Sequence, residues 1–165
     1  MKVVFLDVDG VLNNIDTFKK RKDIYNKSGV IIPRIDFYRV EFLKEIVDNT
    51  DAKIVISSIW RKYENDLKEL KEVFDLYDLE IYDITGIDKN GIRENEIIDW
   101  LNKNDVDSFV ILDDETSDLI HLEKYVVKTR FDGLATGLLC EHIPYAINIL
   151  NNSKKLVLNN KDNKE

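Results

Sequence analysis

Short β-branched and aromatic runs alternate along the chain with segments whose apolar residues recur every three or four positions. Val3-Val4-Phe5-Leu6 ends at Asp7 and a turn at Asp9-Gly10, Lys53-Ile54-Val55-Ile56 ends at Ser57, and Ser108-Phe109-Val110-Ile111-Leu112 runs into Asp113-Asp114. None of the three alternates apolar with polar positions, so each predicts a strand buried on both faces, as in a parallel sheet. Weaker strands are predicted at 79–82 and 125–127. Helical spacing links Phe37, Val40, Phe42, Leu43, Ile46 and Val47, with Asp36 placed as N-cap. It recurs at Leu67, Leu70, Val73 and Phe74, then at Ile97, Ile98, Trp100 and Leu101. The last helix carries Tyr145, Ala146, Ile149 and Leu150, with Pro144 tolerated in its opening turn. Strands alternating with helices predict a three-layer α/β domain over 1–150, built on a parallel sheet. Residues 13–34 read as a long connection without clear periodicity, and the Asn- and Lys-rich residues 151–165 as a polar, mobile tail.

A length of 165 residues fits one domain, and 44% hydrophobic residues suffice for a core. Acidic residues outnumber basic ones, 32 to 24, which excludes generalised electrostatic binding to nucleic acid or anionic membrane but leaves room for a local basic patch. A lone Cys140 excludes an internal disulfide and a four-cysteine zinc site, so a reducing, cytoplasmic compartment is expected. The two histidines, His121 and His142, are too few for a histidine-built metal site, and with Cys140 they are expected to be structural. No apolar run reaches the length of a membrane span, and the charged, strand-like first ten residues do not resemble a secretory leader.

Chemistry gathers where the buried strands end: Asp7 with Asp9, Ser57, and Asp113 with Asp114. In open α/β sheets the carboxyl ends of the strands form the ligand crevice. Carboxylates collected there repel one another unless a cation sits between them, and hard oxygen ligands suit Mg²⁺. One Asp-x-Asp pair reads equally well as solvated turn acids. Two acidic clusters with a hydroxyl at a third strand end point to a shared metal site.

The stretch Phe5-Leu6-Asp7-Val8-Asp9-Gly10-Val11-Leu12-Asn13 resembles the first signature of the haloacid dehalogenase-like (HAD) hydrolase superfamily. Ile54-Val55-Ile56-Ser57-Ser58 resembles its second signature and Val110-Ile111-Leu112-Asp113-Asp114 its fourth, in the same order and spacing over 3–118. Ser57-Ser58-Ile59-Trp60-Arg61, Asn95-Glu96-Ile97-Ile98-Asp99-Trp100-Leu101 and Thr136-Gly137-Leu138 further resemble the small HAD domains of multidomain RNA-repair proteins. The resemblance implies a Rossmann-like sheet and a Mg²⁺-dependent phosphomonoesterase working through an aspartyl-phosphate. Asp7 would be the nucleophile, and Asp9 would protonate the leaving oxygen and then deprotonate the hydrolytic water. Dehalogenases of the superfamily lack an acid at the position of Asp9 and transport ATPases carry Thr there, so Asp9 favours phosphate-ester hydrolysis. Metal ligands would come from Asp7, the backbone carbonyl of Asp9, Asp113 and Asp114, with Asp118 a lesser candidate. Ser57 would bind a phosphoryl oxygen. Arg93 is the candidate cation of the third signature and Lys89 the alternative.

Substrate contacts are expected from Gly10, Ser58, Arg61, Lys20 and Arg21, although Arg61 beside a buried Trp60 reads equally well as the start of a helix. Superfamily members choose substrates largely through inserted cap domains, and here the insertion sites hold only 13–34 and 83–92. The enzyme is therefore expected to be capless, or to carry a minimal flap at 13–34 over an open crevice that suits a phosphate on a bulky partner. Within 19–34 stand six basic residues against one acidic, a composition that suits a 5′- or 3′-phosphorylated nucleic-acid end and suits a solvated charge run as well. A small-molecule or nucleotide phosphatase and a non-catalytic module that binds a phosphorylated partner are the competing readings. A binding module has no need of Asp9.

Overall fold

The computed structural model describes residues 1–152. Five strands, β1 (Lys2–Leu6), β2 (Lys53–Ile56), β3 (Ile81–Ile84), β4 (Ser108–Asp113) and β5 (Val126–Lys128), form one sheet in the order β3-β2-β1-β4-β5. Every pairing is parallel. The helices are α1 (Ile15–Ser28), α2 (Phe37–Thr50), α3 (Glu64–Asp75), α4 (Arg93–Lys103) and α5 (Ile143–Asn152). The chain winds outward from β1 to β3, crosses back to β4 beside β1 and ends at β5. This places the topological switch, and the crevice it opens, at the carboxyl ends of β1 and β4.

Successive residues of a strand face opposite ways, so the uniformly apolar strands feed two cores. Val4, Leu6, Ile54 and Ile56 pack under α2, α3 and α5, while Val3, Phe5, Val55 and Ile111 pack under α4 and the short turn at 120–125. Phe5 meets Trp100 and Phe109 edge-on, with ring centroids 5.4 and 5.8 Å apart. The three-layer α/β architecture is the one the periodicity predicts.

Two elements depart from the sequence reading. The connection 13–34 contains a 14-residue helix, α1, that buries none of its residues. Its signal is in the caps. The Asn14 carboxamide oxygen accepts the Thr17 N–H (2.9 Å), the Thr17 hydroxyl oxygen accepts the Asn14 N–H (3.3 Å), and Gly29 closes the other end at φ 70° with its N–H on the Tyr25 carbonyl. The segment read as a minimal flap is thus helical over Ile15–Ser28. Strand β3 begins two residues later than predicted, because Leu79 donates its N–H back to the Phe74 carbonyl and Asp78 turns the chain at φ 51°. Of the expected tail, 151–152 belong to α5 and 153–165 lie outside the described residues. No helix among the described residues is long and apolar enough to cross a membrane.

Candidate active site

The parallel ladder continues one residue past the strands. Asp7 donates its N–H to the Leu112 carbonyl, Ser57 to Leu6 and Thr85 to Ile56, each at 3.0 Å. Leu6 pairs in register with Ile56 and Leu112, and Ile56 with Ile84, so Thr85, Ser57, Asp7 and Asp113 form a single row across the carboxyl edge. Hydroxyls occupy the β3–β2 side of this row and carboxylates the β1–β4 side.

Asp7, Asp113 and Asp114 each offer a carboxylate oxygen within 4.8 Å of the others. Asp113 closes β4, and the chain has already turned at Asp114, which is how two adjacent residues reach one site. Burial first, and the Asp7 charge second, push Asp113 up to about 7 and raise Asp114 as well. Three hard oxygen donors that repel one another in a buried pocket fit a divalent cation such as Mg²⁺.

The cation already present is Arg93, the first residue of α4. Its Nη1 lies 2.5 Å from Asp113 Oδ2 and 3.2 Å from Asp7 Oδ2. Burial works to lower its pKa, but Asp7 and Asp113 outweigh that and raise it, so the guanidinium stays charged. A cation opposes the dipole of the helix it opens. The two acids offset that, and Asp118 Oδ2 caps the helix by accepting the Arg93 N–H at 2.8 Å. The alternative, Lys89, is exposed on the preceding turn.

Ser57 is fully buried, and among the described residues its hydroxyl has no hydrogen-bond partner. Buried hydroxyls left unpaired are uncommon, and this one, at the edge of the crevice, is free to bond a ligand or a water. Thr85 Oγ1, next in the row, is likewise buried and unpartnered. A strand over 79–82 ends too soon to bring Thr85 to the edge, whereas β3 over Ile81–Ile84 delivers it there.

Asp9 sits on the flap side of Asp7. Its Oδ1 accepts from Asn13 Nδ2 (2.8 Å) and its Oδ2 from Trp60 Nε1 (3.1 Å), and its carboxylate is outside the three-acid cluster. Trp60 is buried and carries the Arg34 guanidinium 4.4 Å above its ring. Arg34 in turn binds Asp66 and Glu69 of α3, each at 2.7 Å. The two ends of the flap thus hold Asp9 between them.

Several expected contacts have other partners. Gly10 stands at φ 78°, where a Cβ would lie 2.3 Å from Asp114 Cγ; it makes room for a carboxylate. Its N–H donates to Asn13 Oδ1 and its carbonyl accepts from Thr129 Oγ1. Ser58 Oγ caps the turn at 59–62 by accepting the Trp60 N–H. Arg61 is buried with every donor committed: Nε to the Thr85 carbonyl, Nη1 to those of Ser57 and Ser58, and Nη2 to that of Gly86 and to Glu96 Oε2 at 2.5 Å. It braces the Ser57 loop from behind, with its guanidinium turned into the interior. Asp118 is a helix cap. Lys20 and Arg21 lie on α1, Lys20 exposed and Arg21 donating Nε to the Ile32 carbonyl. His121 Nδ1 lies 2.6 Å from Glu94 Oε1, and His142 Nδ1 accepts the Leu139 N–H. Cys140 is exposed.

Comparison with curated proteins and with solved structures returned no match. A model of one protein family, described as the HAD domain in Swiss Army Knife RNA repair proteins, matches residues 3–142. That span holds both acidic strand ends, Ser57 and Arg93, and it covers most of the chain, which therefore belongs to this family of HAD domains.

Proposed function

We propose that the chain is a Mg²⁺-dependent phosphomonoesterase that forms an aspartyl-phosphate on Asp7 and acts, in the cytoplasm, on phosphorylated nucleic-acid ends. Membership of the HAD superfamily supports a hydrolase of the phosphatase type. The observation that carries the finer reading is the buried, unpartnered Ser57 hydroxyl, which shares a row with Asp7 while Arg93 and two further acids stand on the other side.

A phosphoryl group in that crevice meets a donor in Ser57 and a fixed positive charge in Arg93, both placed for the charge that develops at its oxygens. An Asp7 carboxylate oxygen attacks phosphorus as the bond from phosphorus to the leaving oxygen breaks. Asp9 gives that oxygen its proton. A water that surrenders a proton to Asp9 then attacks the same phosphorus, breaks its bond to Asp7 and releases phosphate. Asp7, Asp113, Asp114 and the carbonyl of Asp9 are the residues that would hold Mg²⁺, which supplies charge neutralisation and orients the phosphoryl oxygens.

The flap is one helix, so the crevice admits a phosphate attached to a large partner. The test is a Mg²⁺-dependent screen of 5′- and 3′-phosphorylated oligonucleotides, nucleotides and sugar phosphates, with Asp7→Asn as the control. Preference for oligonucleotides supports the reading. Preference for free nucleotides or sugar phosphates moves it to a small-molecule phosphatase, and no Mg²⁺-dependent turnover of any of them refutes it.

A further inference from the structure

Helix α1 has a face that the phosphatase chemistry does not use. Phe18, Arg21, Lys22 and Tyr25 follow at helical spacing and, with Ile31 of the returning segment, line a groove of about 350 Å³. Tyr25 is 55% exposed and Ile31 70%, although α1 is held by its caps and by the packing of Phe18 on Phe131, with ring centroids 5.9 Å apart. The charge around this groove opposes that of the whole molecule. In a chain of net charge −8, Arg34 is neutralised by Asp66 and Glu69 and Lys19 is paired with Asp16, while Lys20, Arg21, Lys22 and Lys27, four cations against the single Asp23, make no ion pair among the described residues. The groove begins beside the catalytic loop. Asn14 caps the helix one residue after Asn13, which holds Asp9. At the helical rise, Phe18 lies about 6 Å and Tyr25 about 16 Å along the axis from that cap.

From these features we infer that the α1 groove is a subsite for single-stranded nucleic acid, in which Tyr25 stacks on a base and Lys22, with its neighbouring cations, tracks the backbone. Aromatic faces flanked by cations bind single strands without sequence preference, because every base offers a π-face. A strand lying there would lead its terminal phosphate down the helix toward Asp7. This deepens the proposal for the active site and rests on it only for direction, since binding in the groove needs no turnover.

The experiment uses the full chain and a fluorescein-labelled, mixed-sequence RNA octamer with hydroxyl ends, so that hydrolysis does not intervene. Its dissociation constant is compared with that of inorganic polyphosphate of equal charge. The inference expects the octamer to bind more tightly than polyphosphate. Tyr25→Ala should weaken the octamer about 5- to 150-fold, the range that loss of one base–aromatic stack sets, and leave polyphosphate unchanged, while Tyr25→Phe retains the affinity. Lys22→Gln should lower the slope of log affinity against log salt by about 0.7. Tyr38→Ala, which removes an exposed tyrosine outside the groove, should leave the octamer affinity as it is. Equal binding of octamer and polyphosphate, a Tyr25→Ala affinity within twofold of the parent, or an equal loss from Tyr38→Ala would overturn the subsite. None of these outcomes touches the phosphatase reading, which Asp7→Asn and a small ester decide separately.

Discussion

Replacing Gly10 with alanine tests whether the turn after Asp9 exists to admit Asp114. At φ 78° a side chain costs about 1–2 kcal/mol of backbone strain. The new Cβ would also lie 2.3 Å from Asp114 Cγ and 2.7 Å from its Cβ. Because the Asp114 Cβ is itself too close, rotating the carboxylate does not relieve the clash, and one backbone must shift. Strain alone predicts a Tm about 2–8 °C lower for a domain of this size. The clash adds an interaction between positions 10 and 114 that Asp114→Ala cannot remove completely, since alanine keeps a Cβ. Asp114→Gly does remove it, so a double-mutant cycle with Gly10→Ala should show coupling of about 0.5–3 kcal/mol. Thermal melts of the four proteins without metal give the cycle. Calorimetric titration with Mg²⁺ should show Gly10→Ala binding at least about tenfold more weakly, the lower end of what disturbing the support of a metal ligand costs. Additive melting shifts together with undiminished Mg²⁺ affinity would refute the reasoning.

Arg61→Met should destabilise the fold by about 3–5 kcal/mol, because it strands Glu96, whose side chain is 4% exposed, without its cation; a urea midpoint equal to the parent's would contradict the pairing. Burial lowers the pKa of His142 below its ordinary 6.5, so the unfolded chain binds its proton first as pH falls. Its contribution is therefore complete above about pH 6.5 and is lost as pH drops toward the folded-state value; His142→Gln should flatten the difference in stability between pH 8 and pH 5.5, and an unchanged difference would exclude this residue as a cause. Asp9→Asn should cut kcat about 10²–10⁴-fold by removing the proton donor, measured on a phosphorylated oligonucleotide. A substrate with a very good leaving group should suffer less in its first step, visible as a burst, and a variant with parental kcat on both would remove Asp9 from the mechanism.

The parts of the molecule legible in the sequence are those where burial writes a pattern. β1, β2 and β4 lie between two helical layers, so they show no polar alternation, and their ends had to hold the chemistry because a doubly covered sheet opens only at its edges. Asp7, Ser57, Asp113 and Asp114 could be placed together on that ground, whereas Arg93, at the start of α4, is reached only through the resemblance to the third HAD signature. What stayed hidden depends on local capping or on side-chain direction. Helix α1 buries nothing, so only Asn14, Thr17 and Gly29 announce it. Arg61 beside Trp60 could face the crevice or the interior, and only the convergence of four carbonyls and Glu96 from separate segments decides for the interior. Asp118 has the spacing of a metal ligand and the position of a cap, and the N–H of Arg93, 25 residues earlier, takes it. Thr85 is not legible from the sequence because a two-residue shift in the start of β3 takes it off the edge, and a row across a sheet is visible only in register.

The central claim is that Asp7 carries the phosphoryl group. Acid quenching of the Asp9→Asn protein within one turnover of a ³²P-labelled aryl phosphate, whose leaving group needs no proton, with Mg²⁺ present, measures it directly. The account predicts hydroxylamine-sensitive label on the peptide containing Asp7, lost in EDTA and absent from Asp7→Asn. Parental turnover by Asp7→Asn, or substrate consumed by the parent enzyme while no label ever reaches that peptide, would contradict it.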